Sequence, residues 1–228
     1  MGMLGDIPTG RRWLVVAAAP KEAEAIAGMR LDEHWRTHPV GKRLDVVLSG
    51  VGKANAAAAV ASVLDAGRHA GVLSLGIGGA LPGSGLALGT VVIADRSTYA
   101  DEGLLTAEGF LDVAAMGFAP GPDPSTGAGT PCDDCVADPA GIETKRGGVA
   151  TVSTCSGTDA TADEVTRRTG AIVEAMEGAA VGLTVRRLVP ELPFAEVRVV
   201  SNTTGDRSGQ RWDLAGALGV LGSIAKLL

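Results

Sequence analysis

Two kinds of residue in this chain could do chemistry: carboxylates at the ends of apolar runs, and an amide at the end of another. Glu22 lies three residues beyond Ala19, where the first apolar run stops, and Glu177 follows Met176 at the end of "AIVEAM". A carboxylate there can take a proton, hold a hydroxyl or offset a developing positive charge. In "EVRVVSNTTGDRSGQRWDL", residues 196–214, apolar alternation gives way to Asn202, Asp206, Arg207, Arg211 and Trp212. An Asn side chain offers a donor and an acceptor side by side, which suits one edge of a flat heterocycle. Each residue also has a plainer reading. Glu177 is an ordinary acid in a first helical turn, Asp206 and Arg207 pair with each other, and Trp212 anchors the C-terminal helix in the core.

The glycine loops nearby fail the obvious tests. "GVGKANA" has a Gly-Lys pair, but the positions a phosphate loop needs as Gly and Ser/Thr are Val47 and Ala54. "GIGGAL" supplies Gly76 and Gly78, yet the third glycine of a dinucleotide fingerprint falls at Leu81. No nucleotide cofactor follows. Bare backbone at these turns can approach a flat ligand or pack closely against a helix; both readings stand.

Apolar runs that must position these groups lie at 13–19, 44–50, 71–79, 89–95, 148–154, 171–176 and 195–202. Most are too apolar to face water on one side, so they read as strands covered on both faces. Helical patterns lie between them at 21–28, 53–67, 159–169 and 177–188, with another at the C-terminal end. The alternation predicts an α/β fold: a three-layer α/β/α arrangement with a central mixed, twisted sheet and helices on both faces. The whole of 1–228 reads as a single domain, and the Gly-, Pro- and Asp-rich segment 117–147 as a long loop. Ligand groups in such folds gather where strands end.

A net charge of −6 with scattered Lys and Arg offers no field for nucleic acid, so the expected partner is a small molecule. "RRWLVVAAAP" is too short for a membrane span and reads as a first buried strand rather than an export signal. Cys132 and Cys135 form a lone C-x-x-C with no second pair, so no metal is expected; they read as free thiols in an exposed loop in a reducing cytoplasm.

In order along the chain, "AAAPKEAEAI", "SGVGKANAAAA", "LGIGGAL", "LGTVVIADRSTYADEG" and "AMEGAAV" resemble the nucleoside phosphorylase and hydrolase superfamily, on the side of methylthioadenosine/S-adenosylhomocysteine nucleosidase. Within it, "SNTTGDR" followed by Trp212 looks most like the futalosine hydrolases. That resemblance implies cleavage of an N-glycosidic bond in futalosine, giving hypoxanthine and dehypoxanthine futalosine in menaquinone biosynthesis. It implies no cofactor and a homo-oligomer, with a dimer possible. The alternatives are another purine nucleosidase or phosphorylase, of methylthioadenosine or inosine type, and a non-catalytic nucleoside-binding protein.

Carried onto this sequence, the family's water-activating glutamate falls at Glu22, with Glu24 two positions on as the competitor, and its ribose-binding glutamate at Glu177. Gly76, Gly78, Thr158 and Met176 fall at substrate-contacting positions. Phosphorylases of the superfamily carry an arginine two residues before Gly76; here Ser74 stands there, which favours water over phosphate. Nucleosidases acting on adenine have Asp where this chain has Asn202. A 6-oxopurine wants a donor at O6 and, once N7 is protonated, an acceptor there. One amide supplies both, and a mismatch costs about 1–3 kcal/mol. Asn202 cannot supply the proton, which leaves water or Asp206. Arg207 or Arg211, beside Trp212, would take futalosine's benzoate.

Overall fold

The computed structural model describes residues 2–5 and 8–228. Among the described residues eleven strands and five α-helices follow in order: β1 Arg12–Ala17, α1 Pro20–Ala27, β2 Thr37–Val40, β3 Leu44–Leu48, α2 Lys53–Val63, β4 His69–Ala80, β5 Val91–Tyr99, the hairpin β6 Gly103–Thr106 and β7 Gly109–Asp112, β8 Gly129–Pro131, β9 Thr144–Thr151, α3 Asp159–Thr169, β10 Val173–Ala175, α4 Gly178–Leu188, β11 Phe194–Thr203 and α5 Leu214–Ala225. The main sheet runs β10-β9-β5-β11-β4-β1-β3-β2, mixed in direction, with β8 added beside β5.

Its two faces explain why the strands read as continuously apolar. Along β1, Trp13, Val15 and Ala17 join Ile26 of α1 and Leu221 and Ile224 of α5 in one core. Leu14 and Val16 point the other way, against Ala56, Ala59 and Val60 of α2 and Val181 and Val185 of α4. From Trp13 to Ala17 the β1 side chains thus bury against helices on both sides, the covered-sheet case in which period-two polarity disappears.

One end of the sheet curls back on itself. β4 is long enough that its first half pairs with β1 and its last residues pair antiparallel with β10, which is also the parallel neighbour of β9. The row Glu174–Gly79–Asn202 crosses this closure, since Gly79 is the register partner of Glu174 on β10 and of Asn202 on β11.

Two expectations change. The segment 117–147 is not without structure: it holds a 3-10 turn at Pro124–Thr126, the strand β8 and the start of β9. A strand of three residues, tied to β5 through Ser97↔Thr130, is too short to carry periodicity. Cys132 and Cys135 are free but not exposed. Both pack against the apolar clusters, and burial pushes the Cys135 thiol up to about 11 and the Cys132 thiol higher still. Among the described residues no helix is long and apolar enough to cross a membrane.

Candidate active site

β1 ends at Ala17, and Pro20, with its preset φ and no N–H to satisfy, opens α1 two residues past Ala18. That places Glu22 on the first turn, reaching back so that one carboxylate oxygen accepts from the Ala19 N–H at 2.8 Å. The other accepts from the Ile77 N–H at 2.8 Å, across the gap to β4. Burial raises its pKa above the ordinary carboxylate value, opposed by the Ile77 N–H, the Arg198 charge and the Ala19 N–H. Glu24 points to solvent on the opposite side of the helix. Glu22 is therefore the acid that α1 presents to the cavity.

Facing it is a residue that sequence reasoning missed, Arg198 on β11, which is fully buried. Its Nε donates to Glu196 at 2.8 Å and one Nη to Ser74 Oγ at 2.9 Å, while the other Nη lies 3.6 Å from Glu177. Glu196 also accepts from Ser97 Oγ. The two strands set this up: Arg198 pairs with Gly76 in register, and Glu196 with Ser74. A Cβ on Gly76 would lie 2.6 Å from Glu22 Oε1 and 2.7 Å from Arg198 Nη1, so the bare glycine is what lets the two ionic groups approach from either side without a direct ion pair. The serine at the phosphorylase-arginine position is here an acceptor for a guanidinium already flanked by two carboxylates. A free phosphate would have to displace that pairing.

Glu177 is the residue just before α4, and its carboxylate accepts from the Gly52 N–H at 3.0 Å. Gly52 adopts a φ of 96°, a region that side chains disfavour, and this turns its N–H toward the acid. Met176 and Gly78 line the same cavity, of about 380 Å³, along with Glu22, Glu177 and Asn202.

At the other end, Asn202 is 9% exposed. Its Oδ1 accepts from Ser201 Oγ at 2.8 Å and its Nδ2 donates to Thr203 O at 3.0 Å. One amide hydrogen and one lone pair therefore remain for a ligand. Glu174, also unremarked in the sequence, faces it across Gly79. Its two oxygens accept from the Ser156 N–H at 2.9 Å and Ser156 Oγ at 2.6 Å, and burial raises its pKa against those two bonds.

Arg207 and Trp212 stand at the mouth, the guanidinium 4.8 Å from the indole centroid and donating to Gln210 at 2.9 Å. Arg211 and Thr158 are exposed and do not line the cavity; Thr158 instead caps α3. Nor does Asp206 reach it. Its carboxylate accepts from the Asp159 N–H at 3.1 Å at the start of α3, rather than pairing with Arg207. Among the described residues no group of three or more His, Cys, Asp or Glu is placed to hold a metal.

With this geometry in place, the profile of the phosphorylase superfamily matches residues 14–221. The chain belongs to that superfamily. It is 36% identical over 216 residues to the futalosine hydrolase of Acidothermus cellulolyticus, covering 90% of this chain and 85% of that one. To the futalosine hydrolase of Streptomyces coelicolor it is 34% identical over 221 residues, 91% of each. The native structure of futalosine hydrolase from Helicobacter pylori strain 26695 shares the fold at a TM-score of 0.72 and 16% identity, over 96% of this chain and 97% of that one. Glu22, Glu177 and Asn202 thus border one cavity, with Arg198 buried beside Glu177.

Proposed function

We propose that this chain hydrolyses the N-glycosidic bond of futalosine, releasing hypoxanthine and dehypoxanthine futalosine for menaquinone biosynthesis. The observation that carries this reading is the amide of Asn202 at one pole of a cavity whose other pole holds Glu22. A 6-oxopurine edge meets the free Nδ2 hydrogen at O6, and a 6-amino group would meet it donor to donor.

Bond breaking at C1′ leaves a sugar cation, so the ribose side must supply negative charge and a nucleophile. Glu177 takes the ribose hydroxyls. Glu22, whose carboxylate form is held by two backbone N–H groups and favoured by the Arg198 charge, removes a proton from a water poised over C1′. Arg198 lies 3.6 Å from Glu177, and its charge favours the carboxylate form of Glu22; that charge is matched by Glu196, which argues for water as the nucleophile instead of a phosphate anion. Gly78 and Met176 shape the purine and ribose walls, whereas Gly76 does not line the cavity and instead makes room for Glu22 and Arg198. At the mouth, Arg207 over Trp212 offers a cation and an apolar plate to the benzoate, a better placed partner than Arg211, which does not line the cavity.

The steps use side chains and water, with no cofactor. The exposed Leu104, Leu105 and Leu111 of the β6–β7 hairpin support a homo-oligomer, a dimer in its simplest form. The test is a substrate panel: purified protein with futalosine, inosine and methylthioadenosine, each with and without phosphate. Fastest turnover on futalosine, indifferent to phosphate, is expected; preferred release of adenine would overturn the reading.

A further inference from the structure

The departing purine needs a proton, and neither group named for the base end can give one: Asn202 does not ionise, and Asp206 is turned toward α3. The closed end of the sheet supplies a third. Glu174 and Asn202 are the register partners of Gly79 on its two sides, and a point where a Cβ on Gly79 would stand lies 3.0 Å from Asn202 Nδ2 and 3.5 Å from Glu174 Cγ. The same point lies 2.8 Å from Thr204 Cγ2, too tight for any side chain, so the bare backbone of Gly79 is what lets the Glu174 and Asn202 side chains stand close together on the wall of the cavity that both residues line. We propose that Glu174 is the general acid of the reaction, delivering its proton to N7 of the leaving base while Asn202 holds O6. This rests on the functional reading above.

Three further features agree with it. Glu174 is 5% exposed, and the cost of burying its charge favours the protonated carboxyl, the form an acid must hold before the bond breaks. Ser156, bonded to it through both N–H and Oγ, stabilises the carboxylate that remains after transfer, and its hydroxyl can turn to accept while the carboxyl is protonated. Asn202 Oδ1 already accepts from Ser201 Oγ and keeps one lone pair, which receives N7–H once the proton has moved.

Atoms and charge balance. The C1′–N9 bond breaks with its electron pair on the base, and N7 takes the proton from Glu174. Water adds its oxygen to C1′ and gives a proton to Glu22. Neutral hypoxanthine and a sugar hydroxyl leave, and the proton on Glu22 is exchanged through solvent for the one Glu174 lost.

The test is Glu174→Gln, which keeps the side chain's shape and a hydrogen bond to Ser156 but has no proton to give. It is measured on futalosine and on 4-nitrophenyl β-D-riboside, whose nitrophenolate departs without protonation. Removing a general acid should lower kcat on futalosine by about 10²–10⁴-fold with KM little changed. Turnover of the nitrophenyl riboside should stay close to wild type, which also reports that the variant is folded. Equal losses on both substrates, or a raised KM with kcat retained on futalosine, would overturn the proposal and leave Glu174 a structural or binding group. A wild-type protein that releases no hypoxanthine from futalosine would instead defeat the functional reading, independently of the variant.

Discussion

Asn202→Asp tests the base-recognition reading directly, because the two side chains have nearly the same shape and differ in the hydrogen the ligand meets. In the structure, Nδ2 spends one hydrogen on Thr203 O at 3.0 Å and has one to offer O6. Asp replaces that donor with an oxygen, setting acceptor against acceptor at O6 and facing the Thr203 carbonyl without a hydrogen between them. Leaving one buried polar group unpaired costs about 1–3 kcal/mol, so kcat/KM on futalosine should fall by about one to two powers of ten. The local cost at Thr203 is the same whichever substrate is bound, and it cancels when futalosine is compared with its 6-amino analogue. Hence the ratio of kcat/KM values is the quantity to measure, by chromatographic quantification of released base. The amino analogue presents a donor at position 6, so its turnover should hold or rise. A variant whose ratio matches wild type would refute the claim that Asn202 touches the base edge.

Glu22→Gln should lower kcat/KM by about 10²–10⁴-fold. The pH dependence follows in sign: the working form is the carboxylate, and burial raises its pKa, so wild-type kcat/KM should fall on the acid side at a pH above that of an ordinary carboxylate. A pH–rate profile in which that limb persists in the Gln variant would count against Glu22 as the base. Gly76→Ala puts a methyl against Glu22 Oε1 and Arg198 Nη1 at 2.6 and 2.7 Å; forcing extra volume into such a site costs about 1–3 kcal/mol, and activity should drop with it. Urea unfolding together with steady-state rates checks both parts. Glu196→Ala strips the nearest partner from a fully buried guanidinium, which should destabilise the protein by about 3–5 kcal/mol; an unchanged urea midpoint would contradict the pairing.

β1, β3, β4, β5, β9, β10 and β11 were legible because they carry buried, apolar runs; β2, β6, β7 and β8, each of three or four residues and mostly without a continuous buried run, were not. Helix ends were less legible: α2 stops at Val63 rather than 67, since the Asp65 carboxylate accepts from the Gly67 N–H and draws the chain into a turn. Glu22 and Glu177 stood out as acids at strand ends. Arg198, Glu196 and Glu174 did not, although each is a charge inside an otherwise apolar run, which is itself a signal of a buried, partnered group. Their partners Ser74, Ser97 and Ser156 come from other parts of the chain, and register supplies them only once the sheet has formed. Asp206 illustrates the converse. Four residues from Asn202 in sequence, it is carried away from the cavity by Gly205, whose φ of 101° turns the chain toward α3. Nearness along the chain is no guide where a glycine reverses it.

The most direct measurement is mass analysis of the products when the wild-type protein acts on futalosine in excess phosphate. Water held at Glu22 should give hypoxanthine and the free sugar, dehypoxanthine futalosine, as the only products. A sugar 1-phosphate, or futalosine recovered intact, would contradict the account.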